Sequence, residues 1–381
     1  TATLRALAAQ HGTPLMVLDC GELERRYRAL SAALPGVDLY YALKALPERR
    51  VVRTLNALGA GFDVASAGEL AGLRQERVSP RRFIHTHPIK KPADIRASLR
   101  YGCTTFVVDN PAELEKFVPF RHRVGLLLRI SFRNPGAVCD LSRKFGCSPE
   151  EAPMLLARAR HLGITIKGLS FHVGSQSDGA AAHAAAVRAC NALIARERAL
   201  GSRLSVLDIG GGFPVDYAGG DVDIAAWCAP IVEALAELPQ NVAVIAEPGR
   251  YLAAPAVTGV FSVVGQAVRE DGRWYYLDDG VYGAFSGQLY DHARYPLTAL
   301  ADGPTAPATL AGPTCDSIDV IAEQIELPVL GIGDLVIGRM MGAYTMASAS
   351  DFNGLPRAAM VAVNEPDAEP GFEVVGQAET A

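Results

Sequence analysis

Short apolar runs of strand length alternate with segments of helical period between residues 38 and 249. This alternation is typical of repeated βα units that build a parallel sheet. Residues 47–58 illustrate the helical pattern, since Val51, Val52 and Leu55 fall on one face and Gly59 ends the segment. The proline at position 47 suits a first helical turn. The eight predicted strands are residues 38–44, 61–66, 82–87, 104–109, 124–130, 167–174, 205–209 and 242–247.

Eight such units match an α/β fold of the (β/α)8 TIM-barrel type better than an open doubly wound sheet. In these barrels the active site forms at the carboxyl ends of the strands. One explanation of a polar residue there is that it merely ends its strand, but the density of polar residues favours an active site. They are Lys44, Asp63, His87, Asp109, Arg129, His172, Asp208 and Glu247.

The pattern changes after Arg250 to β-branched and aromatic runs at 256–264, 274–277, 335–337 and 360–363, separated by glycine and proline turns. These runs predict a C-terminal antiparallel β domain, to which residues 15–18 contribute a further strand. We therefore expect a barrel over residues 20–255 and a β domain over 1–19 and 256–364. The acidic, polar residues 365–381 predict a flexible tail.

Composition excludes several classes of protein. The 381 residues carry a formal charge of -5 with both signs interspersed, so we expect no nucleic-acid partner. The apolar runs are too short to span a membrane, and the N-terminus lacks the order of a secretory signal, so a cytoplasmic protein is expected. The seven cysteines never form a Cys-x-x-Cys pair, which argues against a disulfide framework and a metal site.

Lys44 is unusual because it ends an apolar strand in the segment "YYALKAL". A buried ammonium group is costly unless it is paired or used covalently. The side chain either reaches out of the barrel mouth into solvent or holds a carbonyl cofactor as a Schiff base. The residue alone does not decide between these two explanations.

Other strand ends supply what pyridoxal phosphate (PLP) requires. The "DIGGGF" segment, with Gly210, Gly211 and Gly212, lets a phosphate approach the backbone closely. The "EPGR" segment adds Gly249 and the guanidinium of Arg250, and "HVGS" adds the hydroxyl of Ser175.

The pyridine ring needs a carboxylate at its nitrogen, since a protonated ring is a better electron sink. Glu247 is the candidate for that role. His172 either stacks on the ring face or is a hydrogen-bonded histidine of the barrel. Asp63 and Arg129 are interpreted as a salt bridge between barrel strands that supports the cofactor site.

Ten motifs in order resemble the fold-type III PLP decarboxylases, the group that acts on ornithine, lysine, arginine and diaminopimelate. The resemblance implies an alanine racemase-like barrel with a β domain, and the ornithine and lysine enzymes are the most similar of the group. The motifs are "YYALK", "FDVASAGEL", "LSRKFGC", "SFHVGS", "LDIGGGFP", "AEPGRYL", "DDGVYGAF", "LYDHA", "GPTCDSID" and "GAYT" with "DFNG".

The same resemblance implies roles for residues of the second domain. Tyr290, Asp291 and Asp316 are expected to bind the distal ammonium of the substrate, with Asp316 reaching across from a second subunit of a homodimer. Cys315 of that subunit would protonate the substrate Cα, and Tyr344 would bind the phosphate of PLP. Two further residues, Lys144 and Asp319, match positions that pair across the family's dimer interface.

One departure concerns the substrate. The family usually has Asn-Pro two residues after the lysine, whereas this chain has Leu46-Pro47 and loses an amide near the cofactor. Decarboxylation of arginine, diaminopimelate or another amino acid therefore stays open. An amino-acid racemase on the same scaffold and a non-catalytic PLP carrier are the further alternatives. The "CDSID" segment favours decarboxylation over racemisation, and "GPTCD", "YDHA" and "GAYT" argue against a carrier.

Overall fold

The computed structural model describes residues 2–139, 142–218 and 220–365, and these form two compact units. The barrel unit comprises Arg25–Val215 and Val222–Tyr251. The β unit comprises the described residues of Thr1–Glu24, Asp216–Asp221 and Leu252–Ala381. Leu141, which opens the "LSRKFGC" motif, lies outside the described residues, and so does the predicted tail except for Glu365.

Eight parallel strands close the barrel, as the hydrophobic pattern predicts. They follow one another around the barrel in chain order, and the last pairs with the first. Elements are numbered along the whole chain, and the barrel strands are β2 (Val37–Ala42), β3 (Gly61–Val64), β4 (Phe83–His85), β5 (Thr105–Val108), β6 (Gly125–Ile130), β8 (Ile166–Phe171), β10 (Val206–Asp208) and β11 (Ala243–Ala246).

Polar side chains set where several helices begin. Ser66 and Asn110 accept hydrogen bonds from the N–H groups three residues on, and Asp223 does the same for Ala226. Pro47 precedes the cap of its helix, which is Glu48. The helices are α1 (Ala2–His11), α2 (Cys20–Ala33), α3 (Arg49–Ala57), α4 (Ala67–Gln75), α5 (Pro92–Arg100), α6 (Pro111–Lys116), α7 (Ala152–His161), α8 (Ala181–Ala199), α9 (Ile224–Ala236), α10 (Arg250–Ala253) and α11 (Gly287–Tyr290).

An apolar layer lies next to the polar strand ends of the barrel. Ile84, Val107, Leu127 and Ile245 form one buried cluster, with Val206 packed against it. Side chains two positions apart on a strand face the same side of the sheet. Arg129 therefore lies on the same side as Leu127, and Asp208 on the same side as Val206, each one step nearer the carboxyl end of its strand. The apolar layer therefore fills the barrel below the layer that carries the charged groups.

The β unit is built on a mostly antiparallel sheet of eight strands. The N-terminal segment joins it as predicted, because β1 (Leu15–Asp19) pairs antiparallel with β12 (Val257–Arg269) and parallel with β18 (Ala359–Val363). A second parallel pair joins β13 to β15. The strands are β1 (Leu15–Asp19), β12 (Val257–Arg269), β13 (Gly272–Leu277), β14 (Leu297–Ala299), β15 (Ala306–Ala311), β16 (Val320–Leu327), β17 (Leu335–Gly338) and β18 (Ala359–Val363).

Two short elements complete the barrel unit. Strands β7 (Ala137–Cys139) and β9 (Ser175–Ser177) pair antiparallel outside the barrel. Across the part of the chain that the structure covers, no helix combines the length and the apolar character needed to cross a membrane.

Gly168 tests how closely the barrel strands approach one another. A Cβ atom at this position of β8 would stand 2.1 Å from the carbonyl oxygen of Val206 in β10. Overpacking of this kind costs about 1–3 kcal/mol, so Gly168→Ala should lower the apparent melting temperature of the holoprotein. Gly72→Ala is the control, because nothing lies within 4 Å of a Cβ atom there. Equal melting temperatures for the two variants would contradict the prediction.

Candidate active site

Lys44 lies in a single 3-10 turn, Leu43–Ala45, that directly follows β2. Its two neighbours in the turn are buried, whereas the Lys44 side chain keeps 44% of its surface exposed. Its Nζ atom lies 3.7 Å from Oδ2 of Asp63, which is only 2% exposed at the end of β3. The hydroxyl of Thr86 donates a hydrogen bond to Oδ1 of Asp63. A buried carboxylate thus holds the lysine ammonium at the barrel mouth.

The predicted salt bridge between Asp63 and Arg129 is wrong. Among the described residues, the ion-pair partner of Asp63 is Lys44. Strand β3 pairs with β2 and β4, whereas Arg129 belongs to β6, which pairs with β5 and β8. The two side chains therefore start from strands that are not neighbours. The guanidinium of Arg129 instead lies over the ring of Phe145, with Cζ 5.4 Å from the ring centroid.

Asp208 and Glu247 form a buried carboxyl pair. Asp208 is the last residue of β10, and Glu247 lies one residue past the neighbouring strand β11. Asp208 is 1% exposed and Glu247 is 8% exposed. Burial raises the pKa of Asp208 to about 6, although the N–H of Gly210 donates to it at 2.9 Å. Burial and the nearby charges of Asp208 and Asp63 raise the pKa of Glu247 well above its usual value. The pair is therefore suited to binding a ligand that carries a positive charge.

The glycine loop after β10 gives the close backbone approach that the sequence suggests. Gly210 and Gly212 have φ values of 67° and 104°. A Cβ atom on Gly210 would lie 2.3 Å from the carbonyl oxygen of Phe171. The carbonyl of Gly211, between them, lies 3.0 Å from Nε2 of His183, which is fully buried on α8. Glycine is thus required here by conformation and by space.

Arg250 and Ser175 come together, as a phosphate site needs. Nε and one terminal nitrogen of Arg250 donate to Oγ of Ser175 at 3.3 and 3.0 Å. The arginine is 5% exposed and begins α10, directly after the buried Gly249. The carbonyl of Pro248 accepts a hydrogen bond from Ala42 at 3.0 Å, which ties this loop to the end of β2.

His172 is held as a neutral ring. Its Nδ1 accepts a hydrogen bond from the N–H of Gly174 at 3.0 Å, and its Nε2 lies 3.1 Å from where a Cβ atom of Gly211 would stand. Burial, together with the positive charges of Arg129 and Lys44, lowers the pKa of His172 well below its usual value. The imidazole can therefore offer an uncharged face to a planar ligand.

In the β unit, the "CDSID" segment leaves Cys315 exposed and Asp316 partly buried. The hydroxyl of Tyr282 donates to Oδ2 of Asp316 at 2.5 Å. This bond lowers the pKa of Asp316 and raises the pKa of Tyr282 to about 12. The Nδ2 atom of Asn353 donates to Sγ of Cys315 at 3.3 Å.

The remaining predicted residues of the β unit differ in exposure. Tyr290 is 70% exposed at the end of α11, and Asp291 follows it, partly buried. Tyr344 is partly buried with a φ of 57°. Asp319 is 2% exposed, and its carboxylate accepts from the N–H groups of Val281 and Thr314 at 2.8 and 3.0 Å.

Lys144 of the barrel unit is exposed, with Nζ 5.0 Å from the centroid of the Phe145 ring. Its pairing with Asp319 across a dimer interface stays a prediction.

Sequence reasoning missed three residues that support the site. His183 holds the Gly211 carbonyl, Tyr282 fixes Asp316, and Asn353 contacts Cys315. His183 could have been noticed as the one polar residue in the run "AAAHAAA", and the other two lie inside quoted motifs. What those motifs did not reveal is which side chains touch.

These residues fit pyridoxal phosphate. The loop at Gly210 has no room for a Cβ atom, so its backbone can approach a phosphate, and Arg250 with Ser175 supplies side-chain donors. The buried Glu247 matches a protonated pyridine nitrogen, and Lys44 supplies an amine that solvent and ligands can reach.

Comparison with known proteins agrees with this fit. Residues 20–254 match the family model described as "Pyridoxal-dependent decarboxylase, pyridoxal binding domain". The chain is 40% identical over 352 residues to a lysine/ornithine decarboxylase of Selenomonas ruminantium, covering 92% of this chain and 90% of that protein.

Two solved structures of a lysine/ornithine decarboxylase from Vibrio vulnificus, one complexed with putrescine and one with cadaverine, are 54% identical to this chain. Each superposes with a TM-score of 0.92, over 96% of this chain and 98% of that one. The lysine, carboxyl pair and glycine loop at the barrel mouth, together with these matches, place the chain in the pyridoxal-dependent decarboxylase family as a PLP-dependent amino-acid decarboxylase.

Proposed function

We propose that this enzyme decarboxylates a small basic diamino acid, lysine or ornithine, to carbon dioxide and the corresponding diamine. The observation that carries this proposal is the partly buried carboxylate of Asp316, which Tyr282 holds in one orientation. A distal ammonium needs such a partner when it leaves water. The names of the relatives from Selenomonas ruminantium and Vibrio vulnificus support the same substrates.

We assign the cofactor contacts to residues of the barrel unit. Lys44 attaches PLP covalently, with Asp63 as the charge partner of the lysine. The phosphate is held by backbone and side-chain donors of the glycine loops and their neighbours, namely Gly211, Gly212, Gly249, Ser175 and Arg250. Tyr344 of the β unit is a further phosphate contact. His172 covers one ring face, Glu247 binds the pyridine N–H, and Arg129 supports the site. Bound PLP supplies the electron sink that accepts the electron pair when the bond from Cα to the carboxylate breaks.

Protein groups complete the reaction with a proton. After carbon dioxide leaves, the thiol of Cys315 gives its proton to Cα, and the electron pair of the broken bond forms the new C–H bond. The distal ammonium binds to Tyr290, Asp291 and Asp316.

We assign Cys315 and Asp316 to the second subunit of a homodimer. The interface of that dimer includes the pair of Lys144 and Asp319. We expect the enzyme in the cytoplasm.

The first test concerns Lys44. Lys44→Ala should abolish decarboxylation and the visible absorbance of lysine-bound PLP, because Lys44 is the amine that pairs with Asp63 among the described residues. Spectra and carbon dioxide release from the purified protein measure both. Lys167→Ala is a matched control, since Lys167 is a partly buried lysine of β8 that donates to Thr105. Full activity and unchanged absorbance in Lys44→Ala would overturn the assignment.

The second test uses the raised pKa values of the carboxyl pair. In the apoprotein both groups keep protons that the unfolded chain releases, so stability is present at low pH and falls as pH rises through the folded pKa. Glu247→Gln removes one of these groups. The variant apoprotein should melt at a higher temperature than the parent near pH 8 and lose less stability between about pH 5 and pH 8.

The same Glu247→Gln substitution should slow decarboxylation by about 100-fold or more, because the ring loses its anionic partner. Glu237→Gln serves as control, since that side chain is exposed and pairs with Arg188. An apoprotein of Glu247→Gln that is less stable than the parent near pH 8 would contradict the interpretation of the buried pair.

The third test concerns the substrate. Asp316→Asn keeps the shape of the side chain but removes its charge, so KM for L-lysine and L-ornithine should rise by roughly 30-fold or more, with a smaller change in kcat. Asp302→Asn, an exposed carboxylate elsewhere in the β unit, should leave both constants unchanged.

A panel of L- and D-amino acids with carbon dioxide detection completes this test. Preference for a substrate without a distal cation would exclude the assigned role of Asp316. Loss of chirality without release of carbon dioxide would identify a racemase instead.

A further inference from the structure

Asn353 lies in a left-handed turn that few side chains tolerate. Its φ and ψ are 55° and 14°, and Gly354 follows with a φ of 69°. Asparagine and glycine adopt this region most readily. From this position Nδ2 of Asn353 donates to Sγ of Cys315 at 3.3 Å. The turn therefore points an amide donor at the thiol.

Tyr282 fixes this turn relative to the "CDSID" segment. Its ring stacks on Phe352, with centroids 4.1 Å apart and planes inclined by 18°. Its carbonyl accepts hydrogen bonds from the N–H and the hydroxyl of Ser350 at 2.8 and 3.2 Å. Its hydroxyl donates to Asp316, the neighbour of Cys315. One tyrosine thus holds both the segment that carries the amide and the segment that carries the thiol.

We propose that Asn353 is a positioning residue that orients the thiol of Cys315 for proton transfer to the substrate Cα. This proposal rests on the acid role given to Cys315 above. A sulfur that accepts the N–H of Asn353 on one side directs its own S–H away from the amide. The same N–H stabilises the thiolate that remains after the proton moves from Sγ to Cα. The thiolate then regains a proton from solvent before the next turnover.

A purely structural role for Asn353 is the competing explanation, because asparagine also suits the left-handed turn. Asn353→Gly separates the two roles, since glycine keeps the backbone conformation and removes the amide. Asn364→Gly is the matched control. Asn364 also has a φ of 55°, and its amide donates to Asp19 at 2.9 Å.

The experiment compares amine formed with carbon dioxide released by the holoenzyme. The parent enzyme should form one amine for each carbon dioxide. In Asn353→Gly the amine should fall below the carbon dioxide, with amine formation slowed about fivefold, the effect of one lost hydrogen bond. KM should change little if the amide acts on the thiol alone. Asn364→Gly should keep the parent ratio and rate.

A double-mutant cycle with Cys315→Ala makes the test specific. If the amide acts through the thiol, Asn353→Gly should have no further effect on the amine ratio once the thiol is absent. Alkylation of Cys315 by iodoacetamide at a fixed pH, followed by mass spectrometry, should also slow about fivefold in Asn353→Gly, because the thiolate loses its donor. Asn353→Asp, which has the same shape but no N–H, should behave in the same way.

The outcomes separate this inference from the function on which it rests. An unchanged amine ratio in Cys315→Ala removes the thiol from the reaction and overturns both proposals. An altered ratio in Cys315→Ala with a parental ratio in Asn353→Gly overturns the role of Asn353 alone. Additive effects of the two substitutions would also overturn it, since they would show that the amide does not act through the thiol.

Discussion

Two carboxyl groups that share a buried position, Asp208 and Glu247, impose the main constraint on the barrel mouth. Both have raised pKa values because burial disfavours a negative charge. The charge of Asp208 raises the pKa of Glu247 further, whereas a hydrogen bond with Glu247 lowers the pKa of Asp208. In the proposed function, a cationic ring nitrogen would relieve this cost by giving Glu247 a partner. That assignment would link the stability of the apoprotein and the binding of PLP through the same two side chains.

The barrel places these groups by the alternation of its strands. The apolar layer of Leu127 and Ile245 fills the interior, and the next residues on the same side of the sheet are charged. The glycine loop, held by His183 through the carbonyl of Gly211, follows directly after Asp208. Close packing below and short loops above thus leave the charged groups little freedom, which is the condition for preorganised electrostatics.

The β unit fixes its functional side chains in a different way. Cys315 and Asp316 lie on a surface loop, where no closed barrel restrains them. Tyr282 supplies the restraint by binding Asp316 through its hydroxyl and by stacking on Phe352 beside Asn353. Orientation of an exposed thiol and a partly buried carboxylate therefore depends on a few side-chain contacts. Such a loop can change its substrate preference through small substitutions without loss of the fold.

The sequence by itself determined the eight barrel strands, since each reads as an apolar run of the right length between helical segments, and it determined the PLP family through ordered motifs that include Lys44 and Glu247. Only the tertiary structure decided which side chains contact one another. Asp63 pairs with Lys44 and not with Arg129, because β2 and β3 are hydrogen-bonded neighbours, whereas β4 and β5 lie between β3 and β6. Likewise the contact of Asn353 with Cys315 joins residues 38 positions apart, and no local pattern encodes such a distance.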